Sequence, residues 1–158
     1  MFKYNPRYAR HYSLDGFGEA AQEKLSAAKV LVIGAGGLGC PALQYLAAAG
    51  LGTIGIADAD VISITNLQRQ VLYGTDDIGK NKTDIAATRL GHINNEITIV
   101  KHTLAISNEN ALDIITEYDL VLDCTDNFTA RYIINDACVI LGKPFVSGAI
   151  YQYEGQVS

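Results

Sequence analysis

Three glycines, two carboxylates and a pair of cations stand in this sequence at spacings suited to phosphate chemistry. GAGGLG, residues 34–39, fits G-x-G-x-x-G at Gly34, Gly36 and Gly39, with Gly37 inside the loop. The loop follows an apolar run, KVLVIG (29–34), and opens a helical stretch, GLGCPALQYLAAAG (37–50). An acidic residue, Asp58, ends the next apolar run, TIGIAD (53–58). In this context one glycine permits the tight turn, one lets a ligand approach the backbone, and one lets helix and strand pack closely. The helix start offers free N–H groups and a partial positive charge. Asp58 can accept hydrogen bonds from ribose hydroxyls. The pattern specifies an adenine nucleotide and leaves NAD and ATP both open.

The residues after Asp58 add charge that a nicotinamide site does not need. Asn66, Arg69 and Lys82 follow within DADVISITNLQRQVLYGTDDIGKNK (58–82), with Lys80 close by. Arginine presents a planar fork of donors and lysine a mobile point charge, a combination that can hold the outer phosphates of a triphosphate. It can also steady charge that builds when the bond to the α-phosphate changes partners. Each cation taken alone has a plainer reading: a surface salt bridge for Arg69, a solvated helix start for Lys80 and Lys82. A second acidic site lies in LDCTDNFTAR (122–131), where Asp126 falls just past the end of an apolar run. Open α/β sheets place ligand chemistry there, and a carboxylate suits magnesium beside phosphate oxygens. Asn127 stands where a helix N-cap would, and Asp123 reads as a buried structural partner.

The elements that must position these residues alternate. Helices are expected over 17–28, 37–50, 82–93, 108–116 (capped by Ser107) and 127–141; strands over 29–34, 53–58, 96–102, 119–124 and 144–150. Gly50 and the pair Gly142 and Pro144 supply helix stops. Residues 151–158 read as the start of a sixth strand. Strands alternating with helices predict an α/β fold: a Rossmann-like, doubly wound, mostly parallel sheet with helices on both faces. Residues 1–28 form an N-terminal helical arm and 29–158 the nucleotide domain. The sequence ends inside an apparent strand, which reads as the front part of a longer polypeptide.

Composition bounds the function. The 158 residues suit one domain, and 49% are hydrophobic, ample for a core. A net charge of −5 argues against a nucleic-acid-binding surface. No apolar stretch is long enough to span a membrane, and the N-terminus has no apolar signal core, so a cytoplasmic protein is expected. Cys40, Cys124 and Cys138 are widely spaced with no C-x-x-C pair, which indicates neither a zinc knuckle nor a disulfide framework. Cys40 falls at a helix start, a place that can lower a thiol pKa, although small buried packing is the plainer reading for all three.

Taken together, RYARH (7–11), GAGGLG, DAD (58–60), NLQRQ (66–70), the lysine of GKNK (79–82), DCTDNFTAR (123–131), GKPFVSGA and YEGQVS resemble the MoeB/ThiF/HesA family, the bacterial relatives of ubiquitin-activating enzymes. The resemblance spans essentially the whole chain. It implies an ATP- and magnesium-dependent adenylyltransferase that activates the C-terminal Gly-Gly carboxylate of a ubiquitin-like sulfur-carrier protein of the molybdopterin or thiamine type. Carried over by position, Gly37 and its neighbours approach the nucleotide backbone-first and Asp58 takes the ribose. Asn66, Arg69 and Lys82 handle the phosphates, and Asp126 binds magnesium. Arg10 resembles an arginine that the family donates to the partner subunit's nucleotide site, which makes a homodimer the expected active unit; His11 departs from the family's usual glutamine there. Zinc pairs and a mobile cysteine loop, found in many members, lie beyond the region matched, so no zinc is expected in this chain.

Two other readings share the glycine loop. One is a NAD- or FAD-binding oxidoreductase domain, which leaves NLQRQ and Asp126 unexplained. The other is a non-catalytic module of the same fold that only docks partners.

Overall fold

The computed structural model describes residues 4–158, and in it the apolar runs become one six-stranded sheet. Its strands are β1 (Lys29–Ile33), β2 (Thr53–Ala57), β3 (Thr98–His102), β4 (Leu120–Asp123), β5 (Phe145–Tyr151) and β6 (Glu154–Val157), in the order β3-β2-β1-β4-β5-β6. All pairings are parallel except β5 with β6. The helices are α1 (Ala9–Tyr12), α2 (Gly18–Ala27), α3 (Gly39–Ala49), α4 (Lys82–Ile93), α5 (Ala111–Thr116) and α6 (Phe128–Leu141). This is the doubly wound, Rossmann-like α/β fold expected.

β1 occupies the centre because its side chains are apolar on both faces. Leu31 pairs across to Gly55 on one side and Val121 on the other. Val30 and Val32 point to one face, with Leu43 and Ala47 of α3 and Ala86 and Leu90 of α4. Leu31 and Ile33 point to the other, with Ala111 and Ile115 of α5 and Ile134 and Ala137 of α6. The period of two along the strand therefore divides the core into two layers. Truncating a fully buried residue such as Leu31 to alanine is expected to cost about 2–5 kcal/mol.

Several boundaries move for local reasons. α5 starts at Ala111, later than expected, and Ser107 does not cap it. Ser107 instead closes the preceding turn: its carbonyl accepts Asn110 N and Ala111 N, and Asn110 Oδ1 accepts Ser107 N. Tyr151 still belongs to β5, Gln152 turns the chain at φ 53, and β6 returns antiparallel, so the last segment is the second arm of a hairpin. The short α1 was not expected; four residues carry too little periodicity to show in sequence. The first three residues of the expected N-terminal arm lie outside the described residues. The rest of the arm is docked: buried Tyr8 accepts a hydrogen bond from Asn94 Nδ2 at 2.8 Å. Gly50 ends α3 at φ 82, where a Cβ would strike the Tyr8 ring.

The strand order reverses around β1, between β2 and β4. Such a switch point leaves a crevice beyond the C-terminal ends of the strands, and the loops that follow β1, β2 and β4 must line it.

Candidate nucleotide site

The loop after β1 is held open by its glycines and pinned by its neighbours. Gly34 adopts φ 93, and a Cβ there would lie 2.8 Å from the Cys124 carbonyl oxygen. Gly39, at the start of α3, packs so closely on the Gly34 carbonyl that no side chain fits. These two glycines serve packing, while Gly36 and Gly37 face the crevice. Ala35 between them is fixed from both sides: its N–H donates to Asp58 Oδ2 and its carbonyl accepts from Tyr73 Oη, both at 2.8 Å.

Asp58 is therefore a brace as well as a candidate acceptor. Its other oxygen accepts Asp60 N at 2.8 Å, and its side chain is only 8% exposed. Burial pushes its pKa above the ordinary value, opposed by the N–H groups of Asp60 and Ala35 and by the Lys82 charge. Lys82 lies 3.8 Å from Asp58 and 2.7 Å from Asp60. Its side chain is 5% exposed, so the reading of Lys82 as a solvated helix start is corrected. Its backbone N–H also donates to the Asp60 carbonyl, and a bridge between Val61 and Asn81 ties the ends of this long loop together. Lys80, by contrast, is exposed and pairs with Asp77 at 3.6 Å.

The polar run between them forms a compact turn. Asn66 Oδ1 accepts Ser63 N at 3.1 Å, and the Asn66 carbonyl accepts the N–H groups of Arg69 and Gln70. Asn66 is thus placed to shape the turn and is not among the residues lining the crevice. Arg69 Nη1 donates to the Thr65 carbonyl at 3.2 Å, and its stem lies over Gly37, where a Cβ would approach Arg69 Cδ to 3.4 Å.

On the far wall, Asp123 ends β4 fully enclosed. Its Oδ1 accepts Thr125 N at 3.0 Å and Thr125 Oγ1 at 2.7 Å, and its Oδ2 accepts Ser147 Oγ at 3.1 Å. That network rigidifies the turn which exposes Asp126 to the crevice. Asn127 caps α6 through Ala130 N at 2.9 Å. Arg131, one helical turn on, donates to the Thr125 carbonyl at 2.8 Å and to Gly148 O at 3.4 Å, tying this turn to β5.

The result is one cavity of about 640 Å³. It gathers Gly34, Gly36, Gly37, Asp58, Arg69, Lys82, Asp126 and Asn127, residues that lie up to 93 positions apart from Gly34 to Asn127. Gly39 is behind it. Arg10 is exposed on α1 and is not among the residues that line this cavity; its neighbours Tyr8 and Tyr12 line a separate hollow with Thr53 and Thr98 at the strand starts. The cavity also includes Asp60, Gln70 and Arg131, which stand within the sequence motifs with no local signal of a role of their own. Leu104, Ala105 and Ile106 provide an apolar wall that carried no local sequence signal. Chemically, the arrangement offers backbone approach at Gly36 and Gly37, three cations (Arg69, Lys82 and Arg131), accessible carboxylates and an apolar wall. These suit a purine with a chain of phosphates.

The cysteines take no part in an activated thiol site. Cys40 is fully buried, as the reading of small buried packing has it, and burial raises its pKa despite opposing effects from Leu72, Tyr73 and Lys82, so its helix-start position does not lower it. Cys124, at the cavity wall, is pushed up to about 11, again mainly by burial. Among the described residues no helix is long and apolar enough to cross a membrane.

The ThiF family model matches residues 8–158. A probable adenylyltransferase/sulfurtransferase MoeZ of Mycobacterium tuberculosis is 52% identical over 152 residues, covering 96% of this chain and 39% of that protein. A sulfur carrier protein adenylyltransferase of Thermus thermophilus is 49% identical, covering 96% of this chain and 56% of its own length. The crystal structure of E. coli MccB with ATP superposes with a TM-score of 0.84 at 36% identity, over 92% of this chain and 45% of that one. The chain thus spans roughly two fifths to just over half of the length of these relatives.

Proposed function

The chain belongs to the ThiF family, and from that premise we propose that it is the nucleotide-binding part of an ATP-dependent adenylyltransferase. Its second substrate is the C-terminal Gly-Gly carboxylate of a ubiquitin-like sulfur-carrier protein, of the kind that serves molybdopterin or thiamine synthesis. The observation that carries this reading is the convergence of Arg69, Lys82 and Asp126 on one cavity beside Gly36 and Gly37. Two relatives named as adenylyltransferases, one of them for a sulfur carrier protein, and a neighbour solved with ATP, support it.

Each residue then has a defined task. Gly36 and Gly37 admit the phosphates to the backbone. Asp58, with a free lone pair on each oxygen beyond its two amide bonds, accepts from the ribose. Arg69 and Lys82 leave Thr65 and Asp60 to pair with phosphate oxygens, a charge-assisted exchange. Asp126 is an exposed carboxylate among phosphate-binding groups, an oxygen donor that fits magnesium, which would neutralise phosphate charge there. Asn66 holds the turn that aims Arg69. The carrier's terminal carboxylate oxygen attacks the α-phosphate, the bond to the β-phosphate oxygen breaks, and pyrophosphate leaves with an acyl-adenylate remaining. The attacking carboxylate is already ionised at neutral pH, so no general base is needed. Position and charge supply the catalysis. Arg10 does not line the cavity of its own chain, which supports the reading that it acts in the site of a partner copy and that the homodimer is the working unit.

The reading is tested by incubating the protein with ATP, magnesium and a Gly-Gly carrier and recording the carrier's intact mass. A new species heavier by one adenylyl group is expected, lost with Arg69→Ala. Carrier that binds yet stays unmodified would favour a docking module instead.

A further inference from the structure

The turn after β4 is pinned at every polar atom of one residue, Thr125. Its N–H and its hydroxyl both donate to Asp123 Oδ1, at 3.0 and 2.7 Å, and its carbonyl accepts from Arg131 Nη2 at 2.8 Å. Both partners rest on β5. Asp123 Oδ2 accepts Ser147 Oγ at 3.1 Å, and Arg131 Nη2 reaches the Gly148 carbonyl at 3.4 Å. The Thr125 carbonyl shares one rigid peptide plane with the N–H of Asp126. On the far side of Asp126, Asn127 caps α6 through Ala130 N. Asp126 stands between these anchors with an exposed carboxylate that makes no hydrogen bond or ion pair among the described residues. Its place is therefore set by the backbone alone.

Asp123 is a demanding way to hold a turn. It is 1% exposed and forms no ion pair among the described residues. Enclosing a carboxylate among neutral donors is unfavourable in itself. Hydrogen bonds to a charged acceptor are, however, roughly twice as strong as neutral ones, so the turn gains stiffness. That stiffness matters at Asp126. No group of three or more possible metal ligands exists among the described residues. A divalent cation at Asp126 would depend on one carboxylate and on phosphate oxygens, and magnesium tolerates little departure from octahedral geometry. We propose that Asp123 is a positioning residue for divalent-cation binding: through Thr125 it fixes the direction in which Asp126 offers its carboxylate. This rests on the adenylyltransferase reading and on its use of Asp126, and it adds a residue that does not line the cavity.

The test titrates ATP by calorimetry into Thr125→Val, Thr125→Ser, Asp123→Asn and the unaltered protein, at stepped magnesium concentrations and with the metal chelated. Valine keeps the shape of Thr125 and removes its hydroxyl. The magnesium concentration that gives half the full gain in ATP affinity is then expected to rise about 3- to 10-fold, the effect of one hydrogen bond. Serine keeps the hydroxyl and should stay within about twofold of the unaltered protein. Asp123→Asn removes the charge and should raise that concentration at least about 10-fold. With the metal chelated, ATP affinity should stay within about twofold in all three variants. Should Asp123→Asn fail to fold, the valine and serine pair decides alone. Valine and asparagine variants with the magnesium dependence of the unaltered protein would overturn the proposal and leave the function intact. Equal weakening with and without metal would also overturn it, by showing a purely structural part for Asp123. Full magnesium dependence in Asp126→Asn would remove the cation from Asp126 and this proposal with it. An unaltered protein that binds no ATP would sink the function itself.

Discussion

The ammonium of Lys82 stands 2.7 Å from an Asp60 oxygen while its side chain is 95% enclosed. Its partner carboxylate is 70% exposed, and a second one, Asp58, is nearly closed off at 3.8 Å. The lysine therefore serves two masters: it offsets the buried charge of Asp58, and it is held at the mouth of the cavity by a carboxylate that phosphates can replace. Lys82→Met should cost about 1–2 kcal/mol in urea denaturation, below the cost of breaking a wholly buried pair because Asp60 is open to water. ATP binding should fall sharply in the same variant. Asp60→Asn should cost under about 1 kcal/mol.

The glycines separate packing from ligand access. Gly39→Ala drives a methyl group into the Gly34 carbonyl and should destabilise by about 1–3 kcal/mol or prevent folding. Gly37→Ala meets only the flexible stem of Arg69, so its stability should stay within about 0.5 kcal/mol. That methyl group nevertheless occupies the route by which phosphate reaches the backbone, and ATP affinity should drop at least about 10-fold, an effect of the size of one lost charged hydrogen bond. Thermal melts and nucleotide titrations on the two variants check the division.

Asp126 is exposed, and its replacement should leave the fold alone. Asp126→Asn is expected to melt within about 0.5 kcal/mol of the unaltered protein. ATP affinity in that variant should lose its dependence on magnesium, seen by titrating ATP with the metal present and then chelated.

Asp77 should shape the acid limb of stability. It accepts Gly74 N at 2.9 Å and pairs with Arg89 at 3.0 Å. The Gly74 bond foremost, with help from Arg89 and Lys80 and against partial desolvation, holds its pKa below the ordinary 3.8. The folded state thus favours the carboxylate, and the contribution is complete above the unfolded pKa and disappears as pH falls through the lowered folded value. Asp77→Asn should therefore melt lower than the unaltered protein near pH 7, with the gap closing as the pH falls below the ordinary carboxylate value of 3.8 and through the lowered folded one.

Much of this was legible because it is local. Gly34, Gly36 and Gly39, the strand before them and Asp58 after them lie within one β-α-β unit, so spacing alone placed them. Arg69 and Lys82 were legible as cations in the run after Asp58, and Asp126 as a carboxylate just past a strand end, and the resemblance ordered them. Three features escaped. Asp60 read as one letter of a motif, since nothing in sequence reports that Lys82 would turn back 22 positions to meet it. The buried, unpaired oxygen of Gln70 depends on packing from all sides. The apolar wall at Leu104, Ala105 and Ile106 follows β3 and has neither glycine nor charge to mark it. Ser107 misled for a related reason: serine closes a turn by the same hydrogen bonds with which it caps a helix, and only the backbone that follows decides between them.

The central claim is that this cavity binds ATP and opens it at the α-phosphate for a carboxylate. Isotopic exchange between labelled pyrophosphate and ATP reads that step directly. With a Gly-Gly carrier and magnesium present, label should enter ATP, and it should stop when the carrier's final glycine is removed or Arg69 is replaced by alanine. A protein that binds ATP and carrier together yet exchanges no label under those conditions would contradict the account.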